Sequence, residues 1–225
     1  MDKRKRIAIY GGTFDPVHSG HLEIARRVSQ LFEIDEFLFV PARLAPHKLK
    51  REVSSGFHRY AMLALATRED ARLCVSTFEL ERPERQYTVD TLEHYCTRLG
   101  ESADLFFVMG ADSWSEITSW HEWERLMRLT TLIVVTRPGF EFTSPNAHDA
   151  EVVDVRGQSA GFAVALKREG EKKVYITDVV NRDVSATAVR QAASENDYQR
   201  LEELVTSEVA NYIRKYGLYR NTNEA

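Results

Sequence analysis

Six short apolar runs, separated by stretches of helical periodicity, constrain the fold of this chain most. The runs are RIAIY, EFLFV, RLCVS, DLFFVMG, TLIVV and KVYIT, and most show no polar alternation. Strands that are buried on both faces, as in parallel sheets, have this pattern. GHLEIARRVSQLF, GFHRYAMLALATRED, TVDTLEHYCTRLG and HEWERLMRL have helical spacing and lie between runs. The alternation predicts a doubly wound α/β fold, a parallel sheet with helices on both faces.

The composition is that of one globular domain over residues 1–225. Hydrophobic residues make up 43 % of the chain, enough for one substantial core, and the net charge of −4 argues against a nucleic-acid partner. We expect the irregular stretch 139–171 to be a peripheral segment. The part from about 185 to 218 is predicted to be a C-terminal helical segment. The final YGLYRNTNEA is expected to trail off, with frayed last residues.

The two cysteines and the N-terminal residues indicate in which cellular compartment the protein is expected. Cys74 and Cys96 form no C-x-x-C pair, so neither a disulfide framework nor a structural zinc site is expected. The apolar run near the N-terminus is too short for a secretory signal, and no run approaches the length of a membrane span. The sequence therefore predicts a cytoplasmic protein with no membrane partner.

The stretch YGGTFDPVHSGHL, directly after the first predicted strand, has the features of an anion site. Gly11 and Gly12 bring bare backbone N–H groups to the strand end, and a helix N-terminus follows. His18 and His21 share one helix face and can donate to phosphate oxygens. The stretch matches neither the P-loop pattern nor the G-x-G-x-x-G pattern of dinucleotide-binding loops, and two histidines are too few ligands for a zinc site. A tight turn with two solvated histidines remains the alternative.

A second phosphate-binding pattern lies far along the chain, in DVSATAVRQAA. Ser185 is a natural N-cap, and Thr187 and Arg190 share a face near the positive end of the predicted helix. Such a cluster suits a phosphate tail. A capped helix with a solvated arginine is the alternative.

The middle of the chain offers groups for a second ligand. Gly110 and Asp112 directly follow a strand, where a carboxylate can meet a ribose hydroxyl. Thr88 or a neighbour should cap a helix whose first amides point outward. Trp120 lies at a junction between helices, although core packing is the commoner role for tryptophan.

These motifs resemble those of a known enzyme family. GGTFDPVHSGHL and VSATAVR resemble the signatures of the nucleotidyltransferase superfamily that carries an H-x-G-H motif. Together with ERPERQYTVDTL, GADSW, SWHEW and VVTRPGF, they make most of the chain similar to bacterial nicotinate mononucleotide adenylyltransferases, weakly across residues 139–173. The chain departs from the family at Ala186, where a second serine is commoner, and in RPERQYT, where a glycine and a serine are commoner.

The resemblance implies a Rossmann-like fold and transfer of the adenylyl group of ATP to nicotinate mononucleotide, with release of pyrophosphate. It implies ATP and nicotinate mononucleotide as partners and Mg²⁺ bridging the phosphates. It also implies that Gly20 lets the adenine side pack closely; homo-oligomerisation is left open. The implied catalytic residues are His18, His21, Lys48 (in the P-H-K sequence) and Arg190; the implied ATP-binding residues are Gly11, Gly12, Thr13, Phe14, Gly20, Gly110, Asp112, Ser185 and Thr187; the implied acceptor-binding residues are Thr88, Trp120 and Arg137.

Four alternatives differ in function. Phosphopantetheine adenylyltransferases share the first motif but are shorter and lack the YTVDTL and SWHEW features. A nicotinamide-preferring relative differs only in its acceptor. A catalytically idle nucleotide sensor would not need His18, His21, Lys48 and Arg190. A tRNA synthetase would need tRNA-binding domains and a basic surface.

Overall fold

Parallel strands form the centre of the molecule, as the apolar runs predict. The structure is a computed structural model that describes residues 4–43, 53–84, 86–136, 150–158, 171–179 and 184–220. Within these residues one seven-stranded sheet has the order β3-β2-β1-β4-β5-β7-β6, with every neighbouring pair parallel. The strands are β1 (Lys5–Gly12), β2 (Glu36–Pro41), β3 (Leu73–Val75), β4 (Ala103–Gly110), β5 (Thr131–Val135), β6 (Ala150–Asp154) and β7 (Lys172–Thr177).

Helices cover both faces of this sheet, which confirms the doubly wound class. The α-helices are α1 (Ser19–Leu31), α2 (Gly56–Thr67), α3 (Thr88–Leu99), α4 (Ala111–Ser115), α5 (Trp123–Leu129), α6 (Ala186–Ser194), α7 (Tyr198–Leu204) and α8 (Ser207–Tyr216). Successive strand residues point to opposite faces, so Phe106 and Phe107 of β4 belong to different cores. The Phe106 core packs against α1, α2, α6, α7 and α8, and the Phe107 core packs against α3, α4 and α5.

The order of the strands fixes where a ligand can bind. From β1 the chain winds through β2 to β3, and it then returns to β4 on the other side of β1. The register pairs Tyr10 with Val108, so the carboxyl ends of β1 and β4 lie side by side. Open α/β sheets bind ligands in the crevice at such a switch point. Gly12 and Gly110 end the two strands at this crevice.

One strand was not predicted. Residues 139–171 were expected to form an irregular peripheral segment, but Ala150–Asp154 forms β6 at the edge of the sheet, so that expectation is wrong for these residues. Glu151, Val152 and Asp154 are exposed, and Lys173 of β7 pairs with Glu151 at 2.9 Å. A charged edge strand lacks the continuous apolar run by which the other strands were recognised.

The C-terminal part is helical, as predicted, and then turns back. Gly217 ends α8 in the left-handed region with φ of 60°, a common way for a helix to stop. Residues 217–220 do not trail off, since Tyr219 packs against the loop after β1, which corrects the prediction for these residues. Residues 221–225 lie outside the described part.

Two smaller expectations concern the thiols and the membrane. Cys74 and Cys96 are both free. None of the helices that the structure describes is both long enough and apolar enough to cross a membrane.

Candidate active site

The loop between β1 and α1, residues 11–18, lies at the switch-point crevice. Phe14 has φ of 49°, and its ring folds back over Gly12. A Cβ at Gly12 would lie 2.9 Å from that ring, so no other residue fits without displacing Phe14. The Phe14 side chain is 3 % exposed and lies edge-on to His21, with the ring centroids 5.0 Å apart. Phe14 therefore supports the loop from inside, and contact with a ligand would come from its backbone.

His18 and His21 come together as their spacing predicts. His18 is the N-cap of α1, and the two rings stack with centroids 3.7 Å apart and planes 28° apart. The His18 backbone N–H donates to His21 Nδ1 at 3.2 Å. Because Nδ1 accepts, the neutral His21 ring carries its proton on Nε2, where it can serve as a donor. His18 is only 6 % exposed, so the alternative of two solvated histidines does not hold.

Gly20 makes room for the histidine pair. A Cβ at Gly20 would lie 3.2 Å from His18 Nδ1 and 3.3 Å from its Cε1. The resemblance implied that this glycine admits the adenine side of a nucleotide, whereas the structure shows that it also admits the His18 ring. The same Cβ would lie 3.7 Å from Val184 Cβ, so the start of α6 adjoins the start of α1.

The second motif meets the first at this point. Ser185 caps α6, as predicted, and its Oγ accepts from the Ala188 backbone N–H at 3.2 Å. Arg190 donates through Nη1 to the Asp15 carbonyl at 2.8 Å and through Nη2 to Thr187 Oγ1 at 2.9 Å. The arginine therefore joins the two motifs, and the alternative of a solvated arginine does not hold. Two positive helix ends and a guanidinium converge here, which favours an anion.

Arg59 of α2 supports the same loop and was not predicted. It donates through Nη1 to the Thr13 carbonyl at 2.7 Å and through Nε to the Ser54 carbonyl at 3.0 Å. It is 2 % exposed, and this burial lowers its pKa below the ordinary value. A charged residue within the apolar helix GFHRYAMLALA was the signal that could have identified it.

Two of the predicted acceptor residues, Thr88 and Trp120, lie on elements that pack on the other face of the sheet. Tyr87 is the N-cap of α3, Thr88 is its first residue, and the Asp90 carboxylate accepts from the Tyr87 N–H at 2.9 Å. The Tyr87 and His121 rings lie 4.1 Å apart, which brings the start of α3 beside the Trp120 segment. Trp120 is half-buried and lies edge-on to a ring of β4, whereas Trp114 is fully buried in the core.

Gly110 and Asp112, which are predicted to bind ATP, lie at and just after the carboxyl end of β4. Gly110 is the N-cap of α4, and Asp112 is in the first turn of that helix. The Asp112 carboxylate packs against the Gly110 Cα, and the residue is exposed at the carboxyl edge of the sheet. This position is compatible with the predicted contact to a ribose.

Glu79 is a half-buried carboxyl group that links α3 to the end of β2. Its Oε1 accepts from Thr91 Oγ1 of α3 at 2.8 Å, and the carboxyl also accepts the backbone N–H of Arg43, just beyond β2. Burial raises its pKa to about 7, although these hydrogen bonds and nearby Arg59 oppose the shift. No local pattern in the sequence indicates this residue.

Two of the predicted site residues cannot be located in the described part of the chain. Lys48 and Arg137 lie outside the described residues, so their roles stay predictions. In the described part of the chain, no three His, Cys, Asp or Glu side chains gather as ligands for a metal ion.

A doubly wound sheet with an anion-binding loop at its switch point defines a nucleotide-binding α/β protein. Residues 9–192 match the model of the cytidylyltransferase-like family. A probable nicotinate-nucleotide adenylyltransferase of Thermoanaerobacter sp. (strain X514) is 35 % identical over 224 residues, covering 100 % of this chain and 99 % of the relative. One of Chromobacterium violaceum is 35 % identical over 215 residues, covering 96 % and 99 %.

A solved structure has the same fold. The Plasmodium falciparum nicotinic acid mononucleotide adenylyltransferase complexed with NaAD matches with a TM-score of 0.70 at 22 % identity, covering 96 % of this chain and 97 % of that one. The chain belongs to the cytidylyltransferase-like family and, within it, to the nicotinate-nucleotide adenylyltransferases.

Glu79 gives the fold a measurable pH dependence. Its pKa is about 7 in the folded chain and 4.5 in the unfolded one, so the folded state holds the proton more tightly. The resulting stabilisation is complete below pH 4.5 and is lost as the pH rises through 7, about 3 kcal/mol in all. We expect Glu79→Gln, which keeps an acceptor for Thr91, to remove that loss. The measurement is urea unfolding of both proteins at pH 4.5 and pH 8; an equal change in unfolding free energy in the two proteins would contradict the prediction.

Proposed function

We propose that this chain, as a single nucleotidyltransferase domain, transfers the adenylyl group of ATP to nicotinate mononucleotide and releases pyrophosphate. The product is nicotinate adenine dinucleotide, a step toward NAD. The observation that carries the proposal is the bond from Arg190 to the Asp15 carbonyl, because it unites the two phosphate-binding motifs at the switch point. The relatives named for this activity, each 35 % identical over nearly the whole chain, support it.

The reaction needs alignment and charge compensation more than a reactive side chain. A phosphate oxygen of nicotinate mononucleotide attacks the α-phosphorus of ATP. A new P–O bond forms, the bond to the α,β-bridging oxygen breaks, and pyrophosphate leaves with that electron pair. A phosphate monoester is already a competent nucleophile near neutral pH, so no covalent enzyme intermediate is needed. Holding both reactants in line supplies much of the rate.

The residues around the β1–α1 loop stabilise the charge of the transferring phosphate. The His21 Nε2–H, with its proton fixed by the His18 backbone, donates to a phosphate oxygen. The starts of α1 and α6 add their partial positive charge, and Arg190 holds the triphosphate tail with its outer N–H groups. Because hydrogen bonds within the protein hold His21 and Arg190 in place, little reorganisation is needed during the reaction.

Mg²⁺ enters with ATP in this proposal. It commonly binds substrate phosphates together with water, which fits a crevice where the described residues provide no carboxylate cage. When bound, it would offset negative charge on the phosphates of ATP. The net charge of −4 gives no support for a nucleic-acid partner.

The acceptor binds between the start of α3 and the Trp120 segment. A nicotinate carboxylate needs donors on both oxygens, and the first amides of α3 at Thr88 provide them. The Trp120 indole is half-buried, which leaves area to stack on a pyridine ring. The NH₂ group of nicotinamide would face these donors unfavourably, which favours the acid.

Removing either histidine should lower turnover without unfolding the chain. Loss of one well-placed donor to a developing charge costs about 10² to 10³ in kcat. We expect this loss in His18→Ala and His21→Ala, measured by pyrophosphate release. His94→Ala is the control, since His94 stacks on Phe78 away from the loop. Near-parental kcat in both soluble loop variants would show that the pair does not act on the phosphate.

Arg190 should be irreplaceable by lysine. An ammonium group cannot bond the Asp15 carbonyl, Thr187 and a phosphate in one plane, as a guanidinium can. We expect Arg190→Lys and Arg190→Ala each to raise the KM for ATP roughly tenfold or more. The KM for nicotinate mononucleotide should change less. Arg200→Lys, at an exposed ion pair of α7, is the control, and an unchanged ATP KM in both Arg190 variants would remove Arg190 from the site.

The acceptor preference tests the proposal itself. Each buried donor left without a partner costs about 1–3 kcal/mol, so kcat/KM should favour nicotinate over nicotinamide mononucleotide by roughly tenfold or more. Trp120→Ala should raise the KM for nicotinate mononucleotide and leave that for ATP nearly unchanged. Equal kcat/KM values, or a preference for the amide, would assign the chain a different acceptor, and no turnover with either would contradict the activity.

A further inference from the structure

The C-terminal segment reaches the β1–α1 loop through Tyr219. After Gly217 the chain turns again at Tyr219, which has φ of 66°. The Tyr219 hydroxyl then donates to Asp15 Oδ1 at 2.8 Å, across 204 residues of sequence. Gly217 and Tyr219 both lie in the left-handed region of backbone conformation, and the resulting turn brings the Tyr219 side chain to the β1–α1 loop.

Asp15 is the residue of the loop that is held from two sides. It is 1 % exposed. Its carboxylate accepts from Tyr219, and its carbonyl accepts from Arg190. The two bonds fix the peptide that leads through Pro16 and Val17 to His18. A change at Tyr219 can therefore reach the histidines and the arginine together.

In the hydrogen bond between Tyr219 and Asp15, the phenol is the donor and the carboxylate is the acceptor. Burial and the Asp15 carboxylate raise the pKa of Tyr219 above its ordinary value, so the phenol keeps its proton and is the donor. Arg59, nearly fully buried beside this pair, bonds the preceding Thr13 carbonyl. Arg59 and Asp15 are thus buried side chains of opposite charge behind the loop, and Tyr219 bonds the Asp15 carboxylate from the C-terminal side.

We propose that Tyr219 is a positioning residue for adenylyl transfer, acting through Asp15 on His18, His21 and Arg190. The inference rests on the proposed function. It makes residues 217–220, which follow α8, part of the support of the active site.

The test compares two tyrosines that are three residues apart. Tyr219→Phe removes only the hydroxyl that bonds Asp15, whereas Tyr216→Phe removes the hydroxyl of an exposed ring on α8. We expect Tyr219→Phe to lower kcat about tenfold or more, since a bond to a buried charge is lost. The KM for nicotinate mononucleotide should stay within about twofold. Tyr216→Phe should match the parent in kcat and in both KM values.

A second variant separates positioning from folding. Asp15→Asn keeps an acceptor oxygen and removes the charge, so it weakens the same bond from its other side. All variants are assayed well below their melting temperatures. If the bond is the cause, Asp15→Asn also loses kcat, and the double variant is no slower than the slower single variant.

Parental kcat in folded Tyr219→Phe, parental kcat in Asp15→Asn, or additive losses would each overturn the inference. If Tyr219→Phe does not fold, the kcat of Asp15→Asn decides alone. No turnover in the parent would instead contradict the proposed function, and the inference with it.

Discussion

The bonding of the carbonyl groups of the β1–α1 loop is the constraint on which the rest of the site depends. A loop that presents its amides to an anion needs its carbonyls satisfied by the protein. The Gly12 carbonyl accepts from the Ala42 N–H at 2.8 Å, and the carbonyls of Thr13 and Asp15 accept from Arg59 and Arg190. The loop is therefore anchored by β2, α2 and α6, three elements that the sheet topology brings to one edge.

The fold also divides the work between its two faces. Helices α1 and α6 pack on the Phe106 core, whereas α3 and α4 pack on the Phe107 core. In the proposed function the starts of α1 and α6 face ATP, and the start of α3 faces the acceptor. The carboxyl ends of β1 and β4, which lie side by side, separate these two sets of helices. A chain of net charge −4 can in this way bind two anionic substrates, because helix ends and a few placed cations act locally.

The sequence predicted the parts of this arrangement that local patterns encode. Apolar runs give the buried strands, the spacing of His18 and His21 gives their shared face, and Ser185 gives the start of α6. The edge strand β6 was missed because its charged residues resemble a loop. Arg59 and Tyr219 were missed because their partners in the loop lie far away in sequence, and only the folded chain brings the Tyr219 phenol to Asp15. Glu79 was missed because no local pattern marks a carboxyl group that folding removes from water. Lys48 and Arg137 remain predictions.

A crystal structure of the chain with a non-hydrolysable ATP analogue and Mg²⁺ tests the central arrangement most directly. The triphosphate should lie within hydrogen-bond distance of His21 Nε2, the Arg190 guanidinium and the backbone N–H groups of the β1–α1 loop. The bonds from Arg59, Arg190 and Tyr219 to that loop should also be present in the complex, since they hold the carbonyls and the carboxylate that face away from the anion. A triphosphate bound elsewhere, or a loop that breaks these bonds to receive it, would contradict the structure of the site described above.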